Sequence, residues 1–447
     1  MYLDFMFEKF KENKSSDAII WRGKVFTYEW LFNRISEWQD IINSQNIHSG
    51  SIVILEADFS PNAVALFLTL IEKGCVLVPL TSSVEAMKPE FIAVAQGEIS
   101  IQIDSEDNFK IKKLSNKADH PFYLKLRETK HPGLILFSSG STGKNKASVH
   151  DFAPLLEKFK VPRHCLRTIT FLLYDHVGGV NTMLYTLSNA GCLVTVQDRN
   201  PDVVLRAIEK HKVELLPTSP TFLNLVLISE AYKNLDLSSL KMVTYGTEPM
   251  PEGTLKRLNR VMPNVRFVQT YGLSEVGILR AKSKSSDSLW VKIGGEGFET
   301  KIVDGILWIR AKSAMLGYLN APSPFTEDGW FITGDVVEQD GEYIRILGRK
   351  SEIINVGGEK VYPVEVENVL QDMEGVEDVM VGGEPNPITG QIVTVRVKLS
   401  TEENTSEFRK RMRAFCKEKL PNFKIPQKVM IMEEDLHSER YKKLRSR

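Results

Sequence analysis

The sequence predicts an α/β protein: a large N-terminal domain of layered α/β subdomains that includes a small β-rich subdomain, followed by a mobile small α+β C-terminal domain. Three changes of texture along the chain predict it. Over the first part, short apolar runs alternate with stretches of helical periodicity, the pattern of βαβ units around partly parallel sheets. From about residue 293 to 347 the runs become short and β-rich. Beyond residue 349 strands and helices alternate again, in a unit long enough to fold and move by itself. The domain boundaries read from this are 1–348 and 349–447.

Residues 18–21 and 25–27 flank Arg22-Gly23-Lys24 as a hairpin, and 28–47 carry apolar residues at helical spacing. A strand at 51–55, a helix at 61–73 and a strand at 75–80 complete one βαβ unit. Further strands are expected at 133–137, 166–173, 191–196 and 213–217, with a helix at 202–211. In the β-rich part, 300–303, 305–310 and 343–347 read as strands, and Asp328-Gly329 and Asp340-Gly341 as tight turns. The small domain reads as helix 363–373, strands 376–381 and 392–399, helix 405–419 and strand 427–432.

With 447 residues, 42% hydrophobic and 26% charged, the chain has ample material for two or three domains. Its net charge is zero, so no global basic field argues for a nucleic-acid partner. Cys75, Cys165, Cys192 and Cys416 lie far apart without metal-ligand spacing and read as buried free thiols. Charges interrupt the N-terminus where a signal peptide needs an apolar core, and the best apolar stretch, 63–80, contains Glu72-Lys73-Gly74. A cytoplasmic protein without a membrane span is expected.

Chemistry is concentrated in four places. The first is Ser138-Ser139-Gly140-Ser141-Thr142-Gly143-Lys144-Asn145-Lys146, just after the strand expected at 133–137. Glycines permit close backbone approach, hydroxyls and exposed N–H groups donate, and lysines add charge, which together suit phosphate. It is not a Walker loop, which needs four residues between its first glycine and its Gly-Lys pair, whereas Gly140 and Gly143 enclose two. An ordinary polar turn has the same composition. Second, Val243-Thr244-Tyr245-Gly246-Thr247-Glu248 and Val268-Gln269-Thr270-Tyr271-Gly272-Leu273-Ser274-Glu275 each close a strand, and α/β sheets bind ligands at strand ends. Tyr271 offers a ring to a base, Ser274 a phosphate donor and Glu275 a hard oxygen for Mg2+; the alternative is a solvated turn with a packed tyrosine. Third, Asp335 in Thr333-Gly334-Asp335 can accept from ribose hydroxyls or cap a turn. Fourth, Gly348-Arg349 precedes Gly357-Gly358, whose paired glycines admit a slender ligand. Arg349 suits a bidentate phosphate or ribose contact, or a surface salt bridge.

Together and in this order, the segments resemble the signatures of the adenylate-forming superfamily, which contains acyl- and aryl-CoA synthetases, carrier-loading adenylation domains and luciferases. The resemblance covers nearly the whole chain. It implies a two-step reaction: a carboxylate attacks the α-phosphate of ATP to give an acyl-adenylate and pyrophosphate, and a thiol then displaces AMP. It assigns the β- and γ-phosphates to Ser138, Ser139, Gly140, Ser141, Thr142, Gly143 and Lys146, and Mg2+ to Glu275. It assigns adenine to Tyr271 and the adjoining Gly272, with Gly246, Thr247 and Glu248 along its edge, and ribose to Asp335. Ser274 would contact the adenylate phosphate and Arg349 the ribose or phosphate.

His176, in Tyr174-Asp175-His176-Val177-Gly178-Gly179, matches a family position that lines the acyl pocket and gates the thiol tunnel; a hydrogen-bonded core histidine is the alternative. Tyr245, Gly246 and Leu273 are expected in the same pocket. The resemblance further implies that the small domain turns about Ser351, bringing to the site either a lysine for adenylation or Gly357-Gly358 against the pantetheine arm. Lys442 fits that lysine by the hydroxyl four residues before it and the arginine three after, while Lys443 fits the distance from Leu436 better; Lys442 is the assignment made here. The chain departs from the family pattern at Tyr441 and Ala147, where glycine is usual, at Asn145, where proline is usual, and at Ser351, where Asp or Lys is commoner.

The implied function is an ATP-dependent acid–thiol ligase that uses Mg2+ and makes an acyl- or aryl-CoA from a small carboxylic acid and coenzyme A. One alternative acceptor is the phosphopantetheine of an acyl carrier protein, which would be a separate chain because no carrier domain follows residue 447. A second alternative is a degenerate member with weak or lost adenylation that acts on a carrier-tethered substrate. The region before the phosphate loop, shorter than in long-chain fatty acid enzymes, favours a compact acid.

Overall fold

The computed structural model describes residues 2–139, 145–438, 441 and 443. The loop residues Gly140, Ser141, Thr142, Gly143 and Lys144, and the lysine candidate Lys442, lie outside the described residues.

Side-chain alternation along the strands makes the large domain layered. In Ile52–Glu56, Val53 and Leu55 join one core while Ile52 and Ile54 join another, and Val76–Leu80 divides its side chains in the same way. In Asp17–Trp21, Ile19 faces the first of these cores and Ile20 a third. Both sheets are therefore buried on two faces and need helices on each. Helix Pro61–Lys73 fills the layer between them and is buried through 63–71, so its sequence is apolar all round rather than on one stripe. The helix starts where the Ser60 side chain accepts from the Ala63 N–H and Pro61 occupies the first turn. It stops at Gly74, in the left-handed conformation at φ 78°, where an added Cβ would meet Ser49 Oγ at 2.7 Å. Helices Pro201–His211, Pro220–Ser229 and Glu252–Val261 cover the outer face of the first sheet. Lys88–Val94 and Pro121–Thr129 cover the outer face of the second.

The first sheet runs Arg266–Gln269, Met242–Tyr245, Leu215–Thr218, Arg167–Ile169, Cys192–Val194, Asp17–Trp21, Lys24–Thr27, parallel except for the terminal hairpin. The second runs Gly317–Tyr318, Asn145–Asp151, Gly133–Ser139, Val76–Leu80, Ile52–Glu56, Ile99–Ile103, Phe109–Lys113, parallel at its centre and antiparallel at both margins. Two differences from the sequence reading follow. Ser138 and Ser139 lie on one strand of an antiparallel hairpin and Asn145 and Lys146 on the other, because Asn145–Asp151 returns along Gly133–Ser139. The strand expected at 166–173 is only Arg167–Ile169, since the chain leaves the sheet after Thr170 and the Tyr174 hydroxyl donates to Ala57 O across the middle layer.

The third sheet is antiparallel: Arg280–Ser283, Val291–Gly294, Tyr343–Arg349, Phe331–Asp340, Ile306–Ala311, Phe298–Val303. It takes in two strands that begin before residue 293, so the β-rich unit starts near residue 280. In the small domain, Glu359–Val361, Ile354–Val356, Gly390–Leu399 and Val376–Asn386 form a sheet, with Lys428–Ile431 parallel to Gly390–Leu399. Helices Pro363–Gln371 and Thr405–Lys417 pack against it through Val366, Leu370, Phe408 and Met412. The expected strands at 376–381 and 392–399 extend into one long hairpin, closed where the Asn386 side chain accepts from the Ile388 and Thr389 N–H groups. Cys75, Cys192 and Cys416 are buried free thiols as expected, but Cys165 is exposed. No helix among the described residues is long and apolar enough to cross a membrane.

The small domain has a core of its own, distinct from those of the large domain. Phe408→Ala, at a fully buried position, is expected to cost about 3–5 kcal/mol. Calorimetry should show a small-domain transition moving to lower temperature while the large-domain transition stays in place.

Candidate active site

The site is assembled where the ends of the first sheet meet the antiparallel sheet. Asp335 lies on Phe331–Asp340 directly after Gly334, whose φ of 75° turns the strand, and it pairs with Arg349 on the neighbouring strand. Thr333 fixes the turn by donating to Leu307 O at 2.7 Å and accepting from the Asp335 N–H at 3.0 Å. The Asp335 side chain is 6% exposed. Its carboxylate accepts from the Tyr271 hydroxyl, and Arg349 Nε lies 3.3 Å from the other oxygen. Burial pushes the Asp335 carboxyl above its ordinary range, while Arg349 and Tyr271 pull it back. A carboxylate has about four acceptor positions, so lone pairs remain for a ligand's hydroxyls. Tyr271 itself is packed in the core of the antiparallel sheet. Both readings of Arg349 meet here: it is half exposed, and its salt bridge is to the residue expected to hold ribose.

A second cluster surrounds Glu275. Strand Gly317–Tyr318 pairs with Asn145–Asp151, Tyr318 opposite Ser148, which sets the Tyr318 ring 5.2 Å from Lys146 Nζ. The Tyr318 hydroxyl donates to the Glu275 carboxylate. Its pKa is raised, first by burial and then by the Glu275 charge. Asn320 braces the same hairpin, accepting from the Ala147 N–H at 3.0 Å and donating to Asn145 O at 2.9 Å. Lys146, Tyr318 and Glu275 thus form one chain of contacts at the base of the phosphate-loop candidate. Tyr318 and Asn320 were not singled out by the sequence. Ser138 is the penultimate residue of the strand Gly133–Ser139, and Ser139 its last.

Gly246 has no room for a side chain, because a Cβ would meet Thr270 Oγ1 at 2.6 Å and Thr270 O at 2.9 Å. Gly272 is equally confined, by Ile278 at 2.4 Å. Thr247 follows in the left-handed region at φ 75°, a strained conformation for a β-branched residue. The Glu248 carboxylate turns toward helix Pro220–Ser229 and accepts from the Thr221 N–H at 2.8 Å and from the Thr221 hydroxyl. Tyr245 is packed in the core beneath the strand end, 1% exposed, with its hydroxyl unpartnered among the described residues. His176 caps helix Val177–Ser188 and is partly buried, beside Asp175, which accepts from the Thr81 hydroxyl at 2.8 Å. Leu273 and Ser274 are partly buried at the short Gly272–Leu273 and Gly277–Ile278 pairing.

The tail reaches the large domain. Tyr441, where the family pattern has glycine, takes φ 53°, the conformation a glycine adopts most easily. Its carbonyl accepts from Ser219 Oγ at 2.8 Å, and its ring lies 5.5 Å from those of Phe171 and Phe222. The Lys443 N–H donates to Glu248 at 3.2 Å. The Lys443 ammonium donates to Val379 O at 2.7 Å and lies 3.5 Å from Glu367 and 3.8 Å from Asp378. A water-sized cavity of about 10 Å³ remains beside it. Gly357 and Gly358 are elsewhere: they form the exposed turn between Ile354–Val356 and Glu359–Val361, at φ 61° and 91°, with nothing within 4 Å of an added Cβ. Ser351 lies in the exposed single turn Lys350–Glu352 directly after Arg349.

These features define a nucleotide-binding enzyme of the adenylate-forming fold. The family model for AMP-binding enzyme matches residues 6–319, and that for the AMP-binding enzyme C-terminal domain matches 365–443, so the chain belongs to the AMP-binding enzyme family. It is 30% identical over 330 residues to the indoleacetate–CoA ligase of Aromatoleum aromaticum, an alignment covering 68% of this chain and 64% of that protein. It is 26% identical over 442 residues to 4-coumarate–CoA ligase-like 9 of Arabidopsis thaliana, covering 86% and 78%. The fold matches that of anthranilate CoA ligase AuaEII in complex with anthranoyl-AMP, with a TM-score of 0.82 over 99% of this chain and 95% of that one at 18% identity. It also matches the o-succinylbenzoate CoA synthetase of Bacillus subtilis, with a TM-score of 0.75 over 98% and 96% at 19% identity.

Because the Asp335 pKa is raised in the fold, its charged form costs stability above that pKa, and the cost vanishes below the ordinary aspartate range, where the group is protonated folded or unfolded. The gain in melting temperature from Asp335→Asn is therefore expected to be larger near pH 7 than near pH 4. Melts of both proteins at the two pH values check this.

Proposed function

We propose that this chain is an ATP-dependent carboxylic acid–thiol ligase that forms an acyl- or aryl-adenylate and transfers the acyl group to coenzyme A, releasing AMP and pyrophosphate. The observation that carries the reading is the Asp335, Tyr271 and Arg349 cluster, a buried carboxylate held by two donors and still able to accept from ribose. Both reactants of the first step are anions, so fixed positive and dipolar groups have to offset their repulsion in the transition state. Ser138 to Lys146 would hold the β- and γ-phosphates, with Lys146 placed at the loop base by Tyr318. Adenine would sit at Tyr271 and Gly272, along the Gly246 to Glu248 backbone, and Ser274 would donate to the adenylate phosphate.

Among the described residues no trio of His, Cys, Asp or Glu gathers around a metal position. Mg2+ fits nonetheless, since it takes one or two carboxylates and fills its other positions with phosphate oxygens and water. Glu275 supplies the carboxylate, oriented by Tyr318. When bound, the ion neutralises charge on the triphosphate. His176, Gly246 and Leu273 would border the acyl group, with His176 gating entry of the thiol. The likeness to indoleacetate–CoA ligase and to 4-coumarate–CoA ligase-like 9 supports coenzyme A as the thiol and an aryl acid as the acyl donor. ATP and coenzyme A as co-substrates imply a cytoplasmic setting. Tyr441, by adopting a glycine-like backbone, supports intact adenylation rather than a degenerate member.

Lys443 is engaged by Glu367, Asp378 and Val379 O, which supports Lys442 as the adenylating lysine. ATP–pyrophosphate exchange across aryl, short and medium-chain acids tests the reading. One acid is expected to support exchange, and Lys442→Ala to lower it by about 10²–10³-fold, the usual cost of losing a transition-state donor. Lys443→Ala should act differently. It leaves two buried carboxylates without their cation and is expected to destabilise the small domain by about 3–5 kcal/mol. Indifference of exchange to both variants rules out the lysine assignment.

A further inference from the structure

Lys158 sits on the single turn Glu157–Lys160, partly buried, with its ammonium against the short strand Gly277–Ile278. The Nζ donates to Ile278 O at 3.2 Å and lies 5.1 Å from the Phe159 ring centre. An ammonium has three donors, and one is used here. Among the described residues no carboxylate is within ion-pair distance of it, and the neighbouring Glu157 is paired with Lys160. Burial pushes the Lys158 pKa down to about 8, with no charged neighbour opposing. A cation partly withdrawn from water without a counter-charge is costly, and a lysine perturbed in this way is a candidate for holding an anionic ligand.

Its position says which ligand. Ile278 pairs with Gly272, next to Leu273. The turn bearing Lys158 and the strand Gly277–Ile278 both pack on helix Val177–Ser188, whose N-cap is His176. Lys158 is thus hydrogen-bonded to the strand that pairs with Gly272–Leu273, and that strand packs on the helix whose N-cap is His176. Around them Leu155, Phe159, Val180 and Met183 are apolar and buried. An acid held between His176 and Leu273 would meet hydrocarbon walls and a single ammonium.

We propose that Lys158 selects the acid substrate by pairing with a second anionic group at the end of the acyl moiety remote from the reacting carboxylate. The substrate class is then a dicarboxylic acid, aryl or short aliphatic. This rests on the reading of the site as an acid-activating pocket.

The test compares matched acids in ATP–pyrophosphate exchange: benzoate with terephthalate, phenylacetate with 4-carboxyphenylacetate, and butyrate with succinate. In the wild type the diacid of at least one pair is expected to be preferred in kcat/KM by about tenfold or more, as a charge-assisted hydrogen bond allows. In Lys158→Met the ratio should fall to about one or invert, and Lys158→Arg should keep part of it. Preference for the neutral acids in the wild type, or a diacid preference that survives in Lys158→Met, overturns the proposal. Thermal melts with the same acids and no ATP separate this from the ligase reading. If no acid supports exchange, that reading fails, and a diacid-specific melting shift present in the wild type and absent in Lys158→Met still supports the role of Lys158. Absence of a diacid-specific shift in the wild type overturns it.

Discussion

One buried carboxylate holds the site together. Asp335 belongs to the antiparallel sheet, Tyr271 follows the last parallel strand of the first sheet, and Arg349 is the last strand residue before the small domain begins. Tyr271 and Arg349 bring their donors to the two oxygens of Asp335. Two neighbouring strands of the antiparallel sheet and the end of the first sheet are thereby referenced to one point, in a place where low dielectric makes each bond strong and each missing bond expensive. The raised pKa reports this strain: the fold keeps a charge where water cannot stabilise it fully. A carboxylate that merely capped a turn would have no need of burial.

Asp335, Arg349 and Glu275 were legible because each stands in a short segment with turn residues at fixed offsets. What surrounds them was not. Tyr318 reaches Glu275 only because a two-residue strand pairs with Asn145–Asp151 from far along the chain, and two residues show no periodicity to read. The contact of Tyr271 with Asp335 likewise depends on how two sheets abut. The orientation of Tyr245 was hidden for a related reason. Its neighbour Gly246 is confined by Thr270, but alternation along a strand turns adjacent side chains to opposite faces, and Tyr245 faces the core. The layered architecture itself was readable, because strands buried on both faces are apolar at every position and the helix between two sheets is apolar all round.

Lysines show how far residue type falls short of role. Lys146 lies over a tyrosine ring, Lys443 is clasped by two acids of the small domain, and Lys158 is partly buried between a carbonyl and an aromatic ring, with no carboxylate beside it among the described residues. Sequence spacing singled out Lys146, weighed Lys443 against Lys442, and passed over Lys158. Only packing distinguishes a cation already neutralised from one left to be neutralised.

The Tyr441 ring, seated against Phe171 and Phe222, acts as a mechanical detent. Any displacement of Tyr441 from the large domain must pull that partly buried ring out of an apolar seat, at a cost of about 1 kcal/mol. A glycine at the same position could satisfy the backbone but could not resist extraction. The ring therefore opposes release of Tyr441 more than a smooth contact would. It makes the tail's departure a discrete, thermally activated event rather than a free drift.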